Sequence, residues 1–542
     1  MVRCAAFVFA ERRTRAGLIL LIVAGAGLRL WGLQFGLANP YARPDAEVMV
    51  LVALGVLKDP NPHFFDWGTL FAYVTAAMYA VFFAIERAVG GAIVDADAAR
   101  SALPPVLFLI PRVFSAAAGT ATIAVLFAAA RELFSARTAL VAAFLLTVAF
   151  LHVRDSHFGV VDVTAAFLTM CAFWAGVRCA TQGPTPRRAA LTGVLCGLAV
   201  STKYNAAPIL LPALVAIVAS TIAARPPNFR LAARATAMLG LFAALGFIVA
   251  TPYALLDYGS FLTALANVRR HMELGHVVMT RGWEYHAKFT LRYGVGIPLF
   301  AAAMVGPCTL VVQRRWKAAA ILLAFPVSYY WLVGSGKTVF VRYMVPMVPF
   351  LCLGAAVTVD WLSSQIDRMS RNARLGAVAA ALGAAAIAIP TLVSSIQFDR
   401  LMTQPDTRVT AAERIIAEFP DGASVYQNGF IYARVDLPDR KRYPHYGFNG
   451  ETNGFEFDGN PVAPPDVIVL LDSPVPTYTA IPLPVAALVA TDYTLVTTVV
   501  AITPARTAGA LYDQEDAFFV PFSGIDQARR PGPNVAIYRR RN

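Results

Sequence analysis

Residues 67–90, WGTLFAYVTAAMYAVFFAIERAVG, form an apolar run long enough to cross a bilayer, and whether they cross decides the topology of the whole chain. A spanning helix needs about 20 predominantly apolar residues. The 542-residue chain is 57% apolar and only 15% charged. Soluble domains carry about 25% charged residues, so the composition is that of a multi-pass membrane protein. Runs of spanning length lie at 17–38, 103–130, 160–180, 206–224, 232–252, 292–312, 317–333, 339–360 and 374–396. Shorter runs lie at 137–151 and 188–202. The first run follows Glu11-Arg12-Arg13-Thr14-Arg15 and contains Arg29. At that length it reads as an uncleaved anchor rather than a signal peptide.

Suppose that 67–90 lies along the outer membrane face as amphipathic helices. Six basic clusters then fall on the cytoplasmic side: Arg12/Arg13/Arg15, Arg131/Arg137, Arg178/Arg187/Arg188, Arg225/Arg230/Arg234, Arg314/Arg315/Lys317 and Arg368/Arg371/Arg374. If 67–90 crosses, five of the six move outside. The positive-inside rule therefore favours outer-face juxtamembrane helices, about eleven spans, a cytoplasmic N-terminus and an extracytoplasmic C-terminus. The net charge of +13 is then a topology signal and not a nucleic-acid surface.

Past residue 396 the composition changes: Pro, Gly and Asn become frequent, and 17 acids outnumber 13 Lys and Arg. Thr410–Glu418 reads as a helix stopped by Asp421-Gly422, and Val467–Leu471 and Leu495–Ile502 read as buried strands. The expected architecture is an all-α polytopic membrane bundle over 1–396 and a small extracytoplasmic α/β domain over 397–542. The six cysteines are scattered singly and read as small buried hydrophobes. Gly193-Val194-Leu195-Cys196-Gly197 reads as a close helix-packing site. No internal repeat is evident, which disfavours a repeat-built transporter.

Three groups of residues could carry chemistry. The first loop holds Arg43-Pro44-Asp45-Ala46-Glu47. A carboxylate beside the membrane can be a general base or a metal ligand, and Asp45 after Pro44 can equally be a helix N-cap. The segment 152–162 packs His152, Arg154, Asp155, His157 and Asp162 between two short helices. Asp162 opens a span, where an unpaired carboxylate is costly and often functional. The bland reading is a cluster paired with itself, Arg154 with Asp155. Arg112, Lys203, Lys337 and Arg342 lie at outer span ends, where positive-inside statistics do not put them. They suit either ion pairs tying helices together or an anionic lipid phosphate. The loop 253–291 adds His271, His276 and His286, whose spacing does not match a helical metal-ligand pair. Gly334-Ser335-Gly336-Lys337-Thr338 ends like a phosphate-binding loop, but Trp331 stands at its first-glycine position.

In order along the chain come the acidic first-loop motif, Asn61-Pro62-His63-Phe64, Pro111-Arg112-Val113-Phe114-Ser115, Arg131-Glu132-Leu133-Phe134 and the 152–162 segment. Ser201-Thr202-Lys203-Tyr204, Arg342-Tyr343-Met344-Val345-Pro346 and Asp406-Thr407-Arg408 follow. This order resembles the GT-C superfamily of membrane glycosyltransferases. Within it, the chain looks most like the bacterial family 39 group related to protein O-mannosyltransferases and the lipid A aminoarabinose transferase. The resemblance implies a polyprenyl-phosphate-sugar donor, a lipid, glycan or protein acceptor at the outer face, and inversion at the anomeric carbon. It makes Asp45 the general base, Asp162 the second acidic residue, and Arg112, Lys203 and Arg342 the residues near the carrier phosphate. Glu47 is separated from Asp45 by Ala46, where many relatives have the two acids adjacent. Arg154, Asp155, His157, His276 and Lys337 are the candidates for auxiliary roles. Some GT-C enzymes use a divalent cation and others do not; the motifs leave that open.

The rival reading is a transporter or flippase of lipid-linked sugars, which predicts ionisable residues at mid-membrane depth. Nearly all ionisable residues here fall at span ends, Arg29 and Asp360 coming closest to exceptions. The expected setting is a bacterial inner membrane.

Overall fold

The structure, a computed structural model, describes residues 2–275, 281–437 and 442–541, with side chains from Glu11 onward. It divides into two compact units, the first made of Met1–Leu30, Met49–Ser101 and Ile110–Ile396, the second of Trp31–Val48, Ala102–Leu109 and Gln397–Asn542. The second unit thus takes in the first loop together with the C-terminal third.

The first unit is helical. Its opening elements are α1 (Val2–Leu30), α2 (Ala46–Val56), α3 (Leu70–Val89), α4 (Ala96–Ala102) and α5 (Pro105–Leu133). They continue with α6 (Ala136–Val148), α7 (Phe150–Asp155), α8 (Val161–Thr181), α9 (Pro186–Thr202), α10 (Leu210–Ala223) and α11 (Phe229–Ala250). Further long helices cover Ile297–Val312, Trp316–Gly334, Val348–Ser370 and Ala373–Met402. Among the described residues, eight helices qualify as spans by length and composition. A ninth qualifies if Gly282–Gly294 and Ile297–Val312, bent by 113°, form one span. The count differs from the expected eleven for physical reasons: α6 has 13 residues, α9 has 17, and α1 carries Arg13, Arg15 and Arg29 within its last eighteen.

The stretch 67–90 contains one unbroken helix, α3, rather than a set of amphipathic pieces. It buries Phe71, Ala72, Thr75, Ala76, Tyr79 and Phe83. Its other face exposes Val81, Ile85 and Val89, so both faces are apolar. At 20 residues it is about 30 Å long and qualifies as a span. The chain nevertheless returns to where it began. Near the start of α3, the Tyr73 hydroxyl donates to the carbonyl of Pro60 at 2.9 Å. Eight residues past its end, Asp97 pairs with Lys58, which precedes the helix. The two ends of the segment 58–97 thus lie together.

Close packing and capping hold the short helices. A Cβ on Gly193 would lie 2.5 Å from the Leu239 carbonyl oxygen, and one on Gly197 would lie 2.3 Å from that of Ala243. The Gly-x-x-x-Gly pair thus lets α9 and α11 touch backbone to backbone. Arg29 is fully buried because its guanidinium caps α6: it donates to the carbonyls of Leu146 at 3.1 Å and Thr147 at 3.2 Å. These are last-turn carbonyls left without intrahelical partners. Arg29, in the last turn of α1, is therefore structural.

The second unit contains a seven-stranded mixed sheet: β1 (Val425–Gln427), β2 (His445–Asn449), β3 (Gly454–Phe457), β4 (Asn460–Val462), β5 (Val467–Asp472), β6 (Tyr493–Val499) and β7 (Asn534–Arg540), ordered β4-β3-β2-β1-β5-β7-β6. β1 pairs in parallel with β2 and β5, and the remaining pairs are antiparallel. β5 is central, which explains its continuous apolar run Val467–Leu471. The proline-bearing run 481–490 forms the helix Leu483–Asp492, whose Val485 and Val489 pack on Tyr426, Phe455, Ile468 and Tyr493. The helix Thr407–Glu418 begins where Asp406 accepts from the Arg408 backbone N–H.

Candidate active site

In the first unit, helix ends assemble the charged residues. Asp162 lies in the first turn of α8 and Lys203 is the C-cap of α9. An anion at a helix N-terminus and a cation at a C-terminus are each favoured by the helix dipole. The two side chains are 2% and 7% exposed respectively, and Lys203 Nζ donates to Asp162 Oδ1. Lys203 Nζ also sits 4.6 Å from the Tyr343 ring centroid. Arg342, in the 3-10 turn Val341–Met347, is buried with its guanidinium 4.1 Å over the Phe340 ring. Both Arg342 and Asp155 act electrostatically on Lys203.

Arg112 is buried in α5. The 152–162 segment packs on the neighbouring backbone through Gly159, where a Cβ would lie 3.0 Å from Pro111 Cγ and 3.3 Å from the Arg112 backbone nitrogen. Arg154 and Asp155 pair with each other at 2.9 Å, both buried, as the bland reading expects. His157 is also buried, its Nδ1 2.9 Å from the Val153 carbonyl. The Lys337 side chain is exposed, and its backbone N–H donates to Met272. His276 lies outside the described residues. Lys203 and Arg342 thus stand with Asp162 and Asp155 as a largely dehydrated charged group, with Arg154 paired to Asp155.

In the second unit the first loop is built against residues of the C-terminal third. Asp45 is half-buried and has φ = 71°, the left-handed region, which costs most non-glycine residues energy and is best tolerated by Asn and Asp. An ordinary N-cap has extended backbone, and the Asp45 backbone departs from that conformation. Two residues before it, Arg43 pairs with Asp516 at 3.0 Å, both side chains being buried. Two residues after it, Glu47 accepts from the Tyr432 hydroxyl at 2.6 Å. Glu47 is 8% exposed and its Oε2 has no hydrogen-bond partner. Burial pushes its carboxyl up to about 7, against the opposing pull of the Tyr432 hydrogen bond.

Sequence reasoning passed over Tyr432 and Asp516, which lie in polar stretches without motif character. Among the described residues, no three His, Cys, Asp or Glu side chains gather as a metal-ligand set, and none is assigned to a cation.

Residues 109–255 match a family model described as dolichyl-phosphate-mannose-protein mannosyltransferase. That stretch contains Arg112, Arg154, Asp155, Asp162 and Lys203. The chain is similar to ArnT from Cupriavidus metallidurans in the apo state, with a TM-score of 0.52 and 16% identity over 97% of this chain and 98% of that one. Against the same protein bound to undecaprenyl phosphate, the TM-score is 0.51 and the identity 14%, over 96% and 97%. The apo oligosaccharyltransferase of Archaeoglobus fulgidus gives a TM-score of 0.51 and 13% identity over 78% of this chain. The chain spans 63% of the length of that archaeal protein. Comparison with curated proteins finds no match. These likenesses establish the fold: an ArnT-like polytopic helical region followed by a small sheet-containing domain.

Proposed function

We propose that this multi-pass membrane protein is a glycosyltransferase that moves a sugar from a polyprenyl-phosphate donor to a lipid, glycan or protein acceptor. The observation that carries this reading is the buried Lys203–Asp162 pair at two helix ends, with the Arg342 charge acting on Lys203. Guanidinium and ammonium groups in a dehydrated site hold a phosphate and stabilise the charge it gains as the sugar leaves. One structural neighbour supports the donor class, since it was solved with undecaprenyl phosphate.

In this scheme Asp45 accepts the proton of the acceptor hydroxyl as the hydroxyl oxygen attacks the anomeric carbon. The sugar–phosphate C–O bond breaks on the opposite face, the configuration inverts, and the bond's electron pair leaves with the lipid phosphate. Arg154 and Asp155 hold the 152–162 segment in place beside that phosphate. Residues 1–396 form the transferase region and 397–542 the appended α/β domain. The basic clusters support placement in a bacterial inner membrane with the N-terminus cytoplasmic and the C-terminal domain outside. A flippase is not favoured, since the buried cation Arg29 is occupied in capping α6.

The test is transfer or hydrolysis of a synthetic polyprenyl-phosphate sugar by purified protein, for wild type and Asp45→Asn. Turnover in the wild type and its loss in the variant are expected. Equal turnover in both would remove Asp45 as the base, and no turnover with any donor would overturn the transferase reading.

A further inference from the structure

The three residues Arg43, Asp45 and Glu47 alternate along the chain, and the outer two are each fastened to a side chain that arrives nearly four hundred residues or more later. Arg43 pairs with Asp516 and stacks 5.3 Å from the Phe518 ring centroid. Glu47 accepts from Tyr432. Tyr432 is itself fixed. Arg408, locked by Asp406 through bonds of 2.8 and 2.6 Å, donates to the Tyr432 carbonyl and, at 3.3 Å, to the carbonyl of Tyr41. The rings of Tyr41 and Tyr432 meet edge to face at 6.3 Å. Arg408 lies over Phe519 as Arg43 lies over Phe518, so two neighbouring phenylalanines carry the two arginines.

Between these anchors sits the one residue of the segment 40–48 with a left-handed backbone, Asp45. Such a conformation persists where its surroundings over-determine it, and it clusters at functional sites. We infer that Tyr432 and Asp516 are positioning residues: acting through Glu47 and Arg43, they hold the backbone of Asp45 in its left-handed conformation and so aim its carboxylate. The activity part of this inference rests on Asp45 being the base, as proposed above. The clamp itself does not.

Tyr432→Phe removes one hydroxyl while keeping the ring, so the domain folds. Asp516→Ala removes the other anchor, and Asp516→Glu is the conservative partner. Two readouts apply to the full-length protein in detergent or lipid nanodiscs: steady-state transfer, and hydrogen–deuterium exchange of a peptide covering residues 41–49. The inference expects Tyr432→Phe to lower kcat tenfold or more while the donor KM stays within twofold. It expects faster exchange across 41–49 without a matching increase in the sheet strands. Asp516→Ala should do the same, and Asp516→Glu should restore at least a third of the activity. Wild-type kcat and wild-type exchange in Tyr432→Phe would overturn the clamp. A wild-type protein without turnover would sink the transferase reading, while the exchange result would still decide the clamp. Faster exchange with unchanged kcat would show that the anchors hold the loop but do not aim Asp45, and would overturn the positioning role.

Discussion

The carboxylates of the two units are held in opposite ways. Asp162, in the helical unit, faces an ammonium, Lys203, in a buried ion pair at the junction of two helix ends. Glu47, in the sheet-bearing unit, has a neutral phenol, Tyr432, as its side-chain donor, with Asp45 and Arg43 acting on it electrostatically. One of its oxygens has no hydrogen-bond partner among the described residues. Breaking a buried ion pair costs more than the pair itself contributes, because the remaining charge is left dehydrated. A carboxyl facing a neutral donor instead meets that cost by keeping its proton to higher pH. The first arrangement pairs two opposite charges away from water. The second makes the protonation of the first loop depend on pH near neutrality.

The largest effect that would test this contrast is on turnover. Asp45→Asn should reduce the rate by about 10²–10⁴, the usual loss when a general base is removed, with donor binding retained. If Asp162→Asn gave the larger loss of kcat, the roles of the two regions would be exchanged. Next, Lys203→Met leaves Asp162 buried without its ammonium and should destabilise the helical unit by about 3–5 kcal/mol in thermal or denaturant unfolding. The double variant with Asp162→Asn should recover much of that loss.

The third effect is on pH. The Glu47 carboxyl titrates near 7 in the folded chain and near 4.5 when unfolded. Between those values the unfolded chain has lost a proton that the folded chain keeps, so stability falls as pH rises through that window. Above 7 it is level again, lower by roughly 3 kcal/mol. Melting curves from pH 4.5 to 7.5 should show the fall, and Glu47→Gln should flatten it. A wild-type profile matching that of the variant would place Glu47 with the ordinary surface acids. The smallest effect belongs to Arg342→Lys. It keeps the charge but loses the guanidinium stack on Phe340 and bidentate phosphate binding. The donor KM should rise about tenfold with little change in melting temperature.

Much of the helical unit is legible because bilayer thickness imposes run length. Runs such as 103–130, 160–180 and 317–333 correspond to helices within a few residues. The runs 17–38 and 339–360 are offset from Val2–Leu30 and Val348–Ser370, and 292–312 is broken by a 113° bend. The Gly193–Gly197 packing site could be read for the same reason, since only small residues admit a backbone that close. Lys203 and Asp162 could be picked out as charges at span ends, but not as partners, because 41 residues and the packing of α8 on α9 decide that pairing. For α3 the hydropathy agrees with a span, while the Lys58–Asp97 contact shows that the chain comes back. The anchors of the first loop are hardest to read. Tyr432 is 385 residues from Glu47 and sits in an irregular turn, where neither periodicity nor composition distinguishes it. Sequence pattern records local geometry and solvent, and it records a distant partner only when that partner carries a motif of its own.

The 473 residues between Arg43 and Asp516 also set a clock. At about 5–20 residues per second, roughly 25–95 s separate the synthesis of one partner from that of the other. During that interval the early helices are already in the membrane while the first loop lacks its fastening. A nascent or prematurely terminated chain would then carry the acidic motif without the means to aim it. The fastening of the acidic motif therefore waits until Asp516 has been translated.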